Sequence, residues 1–199
     1  IGITFDGGAT WSRRSFGDGT DGLPFNGGDP TLAFDNFGNL WTTYIGPNGT
    51  TPILLSTNGG VNFRLITSFN DQFDQPKIVT GPGQNPGEES VWCVYTGTNG
   101  ITAVGTSVTG LNQFGATWVH EVAPGSPGNG FDSFGGIAIG PQGQVVVNYG
   151  SITNNTGPTT LFMNIDADGL GPGGFSPARA IVTTNVGWNT PIPAQPRRN

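Results

Sequence analysis

Apolar residues along this chain come in short alternating runs, each cut off by glycine, proline, asparagine or aspartate. The stretch DPTLAFDNFGNLWTTYI, residues 29–45, predicts a strand, an Asn/Gly turn and a second strand. DQPKIVTGPGQNPGEESVWCVYTG, residues 74–97, predicts the same layout around a longer turn. FGGIAIGPQGQVVVNYG, residues 134–150, repeats it with Pro-Gln-Gly at the turn. No segment carries the 3.6-residue apolar period of an amphipathic helix, so the pattern predicts an all-β chain.

A second pattern falls between these strand pairs. TFDGGATW (4–11) and STNGGVNF (56–63) share Ser/Thr, then Asp/Asn two residues on, a glycine, and a closing aromatic. SVTGLNQFGATW (107–118) and NIDADGLGPGGF (164–175) are looser, lengthened copies. The closing aromatics Trp11, Phe63, Trp118 and Phe175 are 52, 55 and 57 residues apart. A unit of four antiparallel strands repeated at this period predicts a β-propeller blade. The chain then divides into a half-blade at 1–15, blades at about 29–67, 74–123 and 133–183, and the start of another over 184–199. Propellers close with about four to eight blades. These three and a half blades therefore read as part of a larger propeller, completed by its remaining blades or by other chains.

The box itself reads as a turn. Gly7, Gly8, Gly59 and Gly60 supply positive φ without steric cost. Asp6 and Asn58 can fold back onto backbone N–H groups, with Thr4 and Ser56 in the same network. Trp11 and Phe63 are expected to fill apolar space beside the next blade. Asn58 stands where Asp6 does, so the turn needs no negative charge. Thr4, Asp6, Gly8, Trp11, Ser56, Asn58, Gly60, Phe63, Trp118, Asp168 and Phe175 are thus read as structural. The DADG of residues 166–169 also reads as half a calcium loop, but it lacks the further carboxylates such a loop needs.

The box pattern resembles the Asp-box, or BNR, repeat of sialidase-like β-propellers, and the resemblance covers essentially the whole chain. The same repeat occurs in sortilin-type receptors, xyloglucanase-type glycosidases and photosystem assembly factors. It implies the fold, with box turns on the outer part of each blade, and no single function. For a sialidase it implies three arginines on the substrate carboxylate, a tyrosine nucleophile with a glutamate partner, and an aspartate acid/base. Arg13, Arg14, Arg64 and Arg179 follow the box aromatics and fall on or beside outermost strands. Only Arg197 and Arg198 could enter a new inner strand, and no Arg-Ile-Pro motif precedes the first box. No arginine triad can be assembled.

Composition narrows the function classes. Glycine and proline number 35 and 16 of 199 residues, but 11% aromatic content argues for ordered segments between turns rather than disorder. A net charge of −6 with seven basic residues offers no face for a phosphate backbone, so nucleic acid is excluded as a partner. No apolar run approaches the ~18 residues of a membrane span. Cys93, within SVWCVY, reads as a buried, inert thiol. The chain opens at Ile1 without initiator methionine or signal peptide, which reads as a processed or excised piece, and its composition leans to a secreted or cell-surface setting.

The remaining candidates are few. Asp29 and Asp74 open innermost strands, Lys77 follows in DQPK, and Asp132 sits comparably. They either line the mouth of the propeller channel or cap strand starts. Glu88 and Glu89 read as a solvated hairpin tip. His120 is expected on an outer strand with no partner nearby. Tyr44, Tyr95 and Tyr149 recur at the ends of second strands and read as core. The expected function is a non-catalytic extracellular binding or structural module for a glycan or protein surface, without cofactor. The alternatives are a glycoside hydrolase with catalytic residues partly outside these residues, and an assembly-factor or receptor-type propeller docking a protein.

Overall fold

The computed structural model describes residues 1–128, 132–133, 135–151 and 158–185. All regular elements among them are strands. β1 (Gly2–Ile3) and β2 (Ser12–Arg13) pair as a short ribbon. Sheet 1 is the antiparallel meander β3 (Gly28–Phe34), β4 (Leu40–Ile45), β5 (Thr51–Ser56) and β6 (Arg64–Phe69). Sheet 2 holds β7 (Gln72–Pro82), β8 (Glu89–Gly97) and β9 (Gly100–Gly110), with β10 (Gln113–Phe114) and β11 (Val119–Val122) both paired to β9. In sheet 3, β12 (Asp132–Ser133) and β13 (Ile137–Ile139) pair with β14 (Val145–Ser151), followed by β15 (Thr159–Asp166) and β16 (Arg179–Thr184).

Local chemistry sets the registers. In the β3–β4 turn the buried Asp35 accepts bonds from the backbone N–H of Phe37 (3.0 Å) and Asn39 (2.9 Å), from Asn39 Nδ2 (2.7 Å) and from Trp41 Nε1 (2.9 Å). Its carboxylate thereby satisfies four donors and holds Phe34 opposite Leu40. The middle strands β4, β5 and β8 are buried almost throughout, whereas β16 is exposed nearly end to end. A strand buried on both faces loses the polar/apolar alternation, which is why LWTTYI and TPILLS read as nearly continuous apolar or small runs.

The sheets lie face to face in chain order. Trp41, Ile53 and Leu55 of sheet 1 pack on Ile78, Val91, Cys93 and Val104 of sheet 2. On its other face sheet 2 presents Trp92, Val94, Ile101 and Ala103 to Val145, Val147 and Tyr149 of sheet 3. Each large side chain buried here contributes about 1.5–3 kcal/mol. A third cluster, Phe16, Tyr44 and Leu54, joins the ribbon's flank to sheet 1. Sheet 2 can close around Trp92 because Gly105 lacks a side chain, and a Cβ there would sit 2.3 Å from the indole.

Two boxed turns share one geometry. Thr4 Oγ1 accepts from Gly8 N at 2.8 Å and Asp6 Oδ1 from Thr10 N at 2.9 Å. In the second copy Ser56 Oγ accepts from Gly60 N at 2.9 Å and Asn58 Oδ1 from Asn62 N at 2.9 Å. At 164–175, Asp166 takes the Ser/Thr place and Asp168 Oδ2 accepts from Gly173 N at 3.0 Å. The 107–118 copy is built differently. With no Asp or Asn at the bracing position, β9 runs on to Gly110 and β10 folds back against it, turning at Asn112 with φ 59°. Of the closing aromatics, Phe63 stacks on Phe16 at 4.9 Å, Trp118 meets Trp41 edge-on at 6.5 Å, and Phe175 is buried. Trp11 departs from its expected packing role. It is 66% exposed, its Nε1 donating to Gly8 O at 3.1 Å, because the two-residue strands of its ribbon give it no apolar layer to enter.

Candidate functional site

Strands β3, β7 and β13 of the three sheets lie side by side. Residues 29–31 of β3, 75–79 of β7 and 136–137 at the start of β13 line a cavity of about 660 Å³. The first two strands reach it through the same distortion. Asp29 precedes Pro30 and Gln75 precedes Pro76, and both leading residues are left-handed, with φ of 49° and 55°. Proline cannot donate to a ladder, so the pairing skips from Gly28 to Thr31 in one strand and from Asp74 to Lys77 in the other. A non-glycine residue held at positive φ costs about 1–3 kcal/mol, and such strain gathers at ligand sites. Sheet 3 makes its turn-in with glycine: Gly136 N donates to Asn148 Oδ1 at 2.5 Å.

The lining mixes charge with apolar surface. Asp29, Gln75 and Lys77 carry the polar groups, while Pro30, Pro76, Ile78, Val79 and Ile137 supply the apolar ones. Lys77 Nζ donates to Gly135 O at 2.6 Å and so ties sheet 2 to sheet 3 at the cavity wall. Burial raises the Asp74 carboxyl above its ordinary value, and the negative charge of Asp29 raises it further against an opposing Gln75 backbone N–H. The charge of a carboxylate on the neighbouring sheet therefore acts on Asp74 at this opening. Of the four residues expected at a channel mouth, Asp29 and Lys77 line the cavity and Asp74 adjoins it through Gln75. The Asp132 side chain lies outside the described residues. Thr31 and Gln75 are additions whose signal was the repeated X-Pro of DPT and DQPK.

None of the described arginines lines this opening. Arg13 lies on β2, Arg64 on β6 against the Phe114 ring at 5.6 Å, and Arg179 on β16. Arg197 and Arg198 lie outside the described residues, as do residues 186–199 of the further blade expected to start at 184, while Thr184 itself ends β16. Tyr44, Tyr95 and Tyr149 are all buried. Burial pushes the Tyr44 hydroxyl up to about 12, and it donates to Pro24 O at 2.6 Å. Among the described residues no three His, Cys, Asp or Glu side chains are grouped to hold a metal ion.

Two expectations are corrected. His120 does have a partner: its Nε2 lies 3.1 Å from Asp71 Oδ2, while Tyr95 Oη donates to Asp71 Oδ1 at 2.6 Å. Asp71 arrives on the β6–β7 connection, 49 residues away in sequence. Burial, then the bond to Asp71, raises the Tyr95 hydroxyl, so it serves as a neutral donor rather than a nucleophile. Glu89 is not a solvated tip residue. It is buried and accepts from Asn36 N at 2.9 Å, with Asn36 Nδ2 on its other oxygen. The first turn of sheet 1 docks there, covering what the local sequence leaves open.

No family model matches the chain, and a search of curated proteins returns no significant match. Among solved structures it is similar to Penicillium chrysogenum alpha-L-arabinanase complexed with arabinobiose, at 21% identity and a TM-score of 0.46. The match covers 90% of this chain, which spans 57% of that protein's length.

Proposed function

We propose that this chain is a segment of an Asp-box β-propeller, acting outside the cytoplasm, that binds a neutral glycan where β3, β7 and β13 begin. The observation that carries the reading is the convergence of three successive inner strands on one cavity, two of them entering through the same strained X-Pro step. A cavity of about 660 Å³ falls in the usual range for small-ligand sites. Sugars offer hydroxyl groups to carboxylates and C–H faces to apolar surface, and this lining supplies both. With a net charge of −6 and a single lysine at the opening, a polyanion is a poor fit.

The test is calorimetric titration with a panel of neutral oligosaccharides. Asp29→Asn and Asp74→Asn should each weaken binding about tenfold, as expected for losing a hydrogen bond to a charged group. Unchanged affinity in both variants refutes the site.

A glycosidase reading is favoured by one specific observation, the raised Asp74 carboxyl beside the Asp29 charge. Hydrolases of glycosides use two carboxyl groups whose environments separate their protonation states. Turnover of an aryl glycoside, lost in either Asn variant, would move the assignment from binding to catalysis.

A further inference from the structure

The seam between sheets 2 and 3 gathers more acidic oxygens than donors: the Phe175 backbone N–H serves Glu121 and the Asp168 N–H serves Asp166, and one oxygen of each carboxyl is left over. Glu121 comes from β11, Asp166 from the end of β15, and Asp168 from the hairpin after it. Asp166 is fully buried. Its Oδ1 accepts from Asp168 N at 3.1 Å, but its Oδ2 is sealed from solvent without a hydrogen-bond partner. Glu121 Oε2 is in the same condition, as is Oδ1 of the buried Asn164, whose amide nitrogen donates to Pro124 O and Ser176 O. The neighbouring charges that act on Glu121 are those of Asp166 and Asp168, both negative. From β8 and β9 the seam receives Trp92, Val94, Ile101 and Ala103, none of which titrates. Arg179 on β16 is exposed and stands across the ladder from Met163.

A buried carboxylate oxygen with no donor is costly, and the charge of Asp166 acting on Glu121 from the other sheet adds to the cost. We propose that this seam is a pH-operated joint, which closes when Glu121 and Asp166 take up protons and loosens when both ionise. Protonation removes the repulsion and turns each carboxyl into a donor for an oxygen that lacks one. Burial, with the charges of Asp166 and Asp168, pushes Glu121 up to about 7. Burial, with the adjoining Asp168 carboxyl, pushes Asp166 up to about 6. Both values lie above the ordinary 4.5 and 3.8, so the folded chain binds more protons than the unfolded chain across that window. Stability therefore rises as pH falls from about 7 towards about 5, opposite to the usual trend for carboxylates.

The experiment is thermal unfolding of the chain between about pH 8 and about pH 5, followed by near-UV circular dichroism, for wild type, Glu121→Gln and Asp166→Asn. The wild-type midpoint should climb by several degrees on acidification, and each variant should show a flattened profile. If the variants fold poorly, hydrogen exchange on wild type replaces them, with amides of β11 and β15 more protected at the acidic end after correction for intrinsic rates. A wild-type midpoint and seam protection that are flat or falling on acidification overturn the proposal. So do variants that keep the wild-type slope. Millimolar calcium at about pH 8 is the last arm. A rise equal to that from acid, absent in Glu121→Gln, would give the joint to a cation and overturn the proton mechanism.

Discussion

Asp35→Asn tests whether one buried carboxylate organises the first sheet. The exchange leaves the side-chain volume nearly unchanged and replaces a single acceptor by an NH₂ group. Oδ1 receives two backbone donors, and Oδ2 receives Asn39 Nδ2 and Trp41 Nε1. Whichever way the new amide turns, two buried donors face a third donor instead of an acceptor. Asn39 and Trp41 are both 0% exposed, so water cannot replace the lost oxygen. Each buried orphan costs about 1–3 kcal/mol, so a loss of about 3 kcal/mol is expected after partial relaxation. For a chain of this size that is a fall of about 6–12 °C in Tm. The damage should reach sheet 2, because Asn39 also donates to Gly110 O at 3.0 Å and accepts from Asn112 N at 2.8 Å. Urea unfolding followed by tryptophan fluorescence measures both the midpoint and the environment of Trp41. A loss below about 0.5 kcal/mol with unchanged emission would refute the argument, since it would mean the donors find other partners.

Three further outcomes follow from the same packing and polar geometry. Gly105→Ala drives a methyl into the Trp92 indole, and overpacking of this kind should lower stability by about 2 kcal/mol in the same urea assay. The Cys93 thiol, pushed up to about 12 by burial, should stay unlabelled by a thiol reagent at about pH 8 until denaturant is added, and fast native-state labelling would contradict this. Asp6 is held down to about 2 by the Thr10 hydroxyl, the Thr10 N–H and Thr4. That value lies below the ordinary 3.8, so its support for the turn is present above about pH 4 and lost as pH falls through 2. An NMR titration of the Asp6 carboxyl should place its midpoint near 2, and a midpoint near 4 would contradict the bonding.

What could be read from the sequence was what the chain decides within a few residues. Asp6 reaches Thr10 and Asn58 reaches Asn62, so the boxes at 4–11 and 56–63 contain their own partners. The strand–turn–strand runs were legible for the same reason, with Asp35 and Asn39 flanking the turn they stabilise. Contacts between sheets were not legible. Asp71 meets His120 across 49 residues and Asn36 meets Glu89 across 53, and no local pattern announces either. Glu121 and Asp166 likewise come from different sheets, so nothing local to DADG announces Glu121 beside it. The cavity was half visible. DPT and DQPK marked the strand starts, but the positive φ shared by Asp29 and Gln75 was not announced by residue type, since Gln has no preference for that region.

The order in which the cores are laid down has a mechanical consequence. Each apolar cluster bridges only consecutive layers: ribbon to sheet 1, sheet 1 to sheet 2, sheet 2 to sheet 3. Cohesion of this sequential kind resembles a stack of plates more than a single knot. Tension applied at the two ends should peel the stack from one side, and the force trace would rise and drop once per layer. The number of teeth would count the sheets.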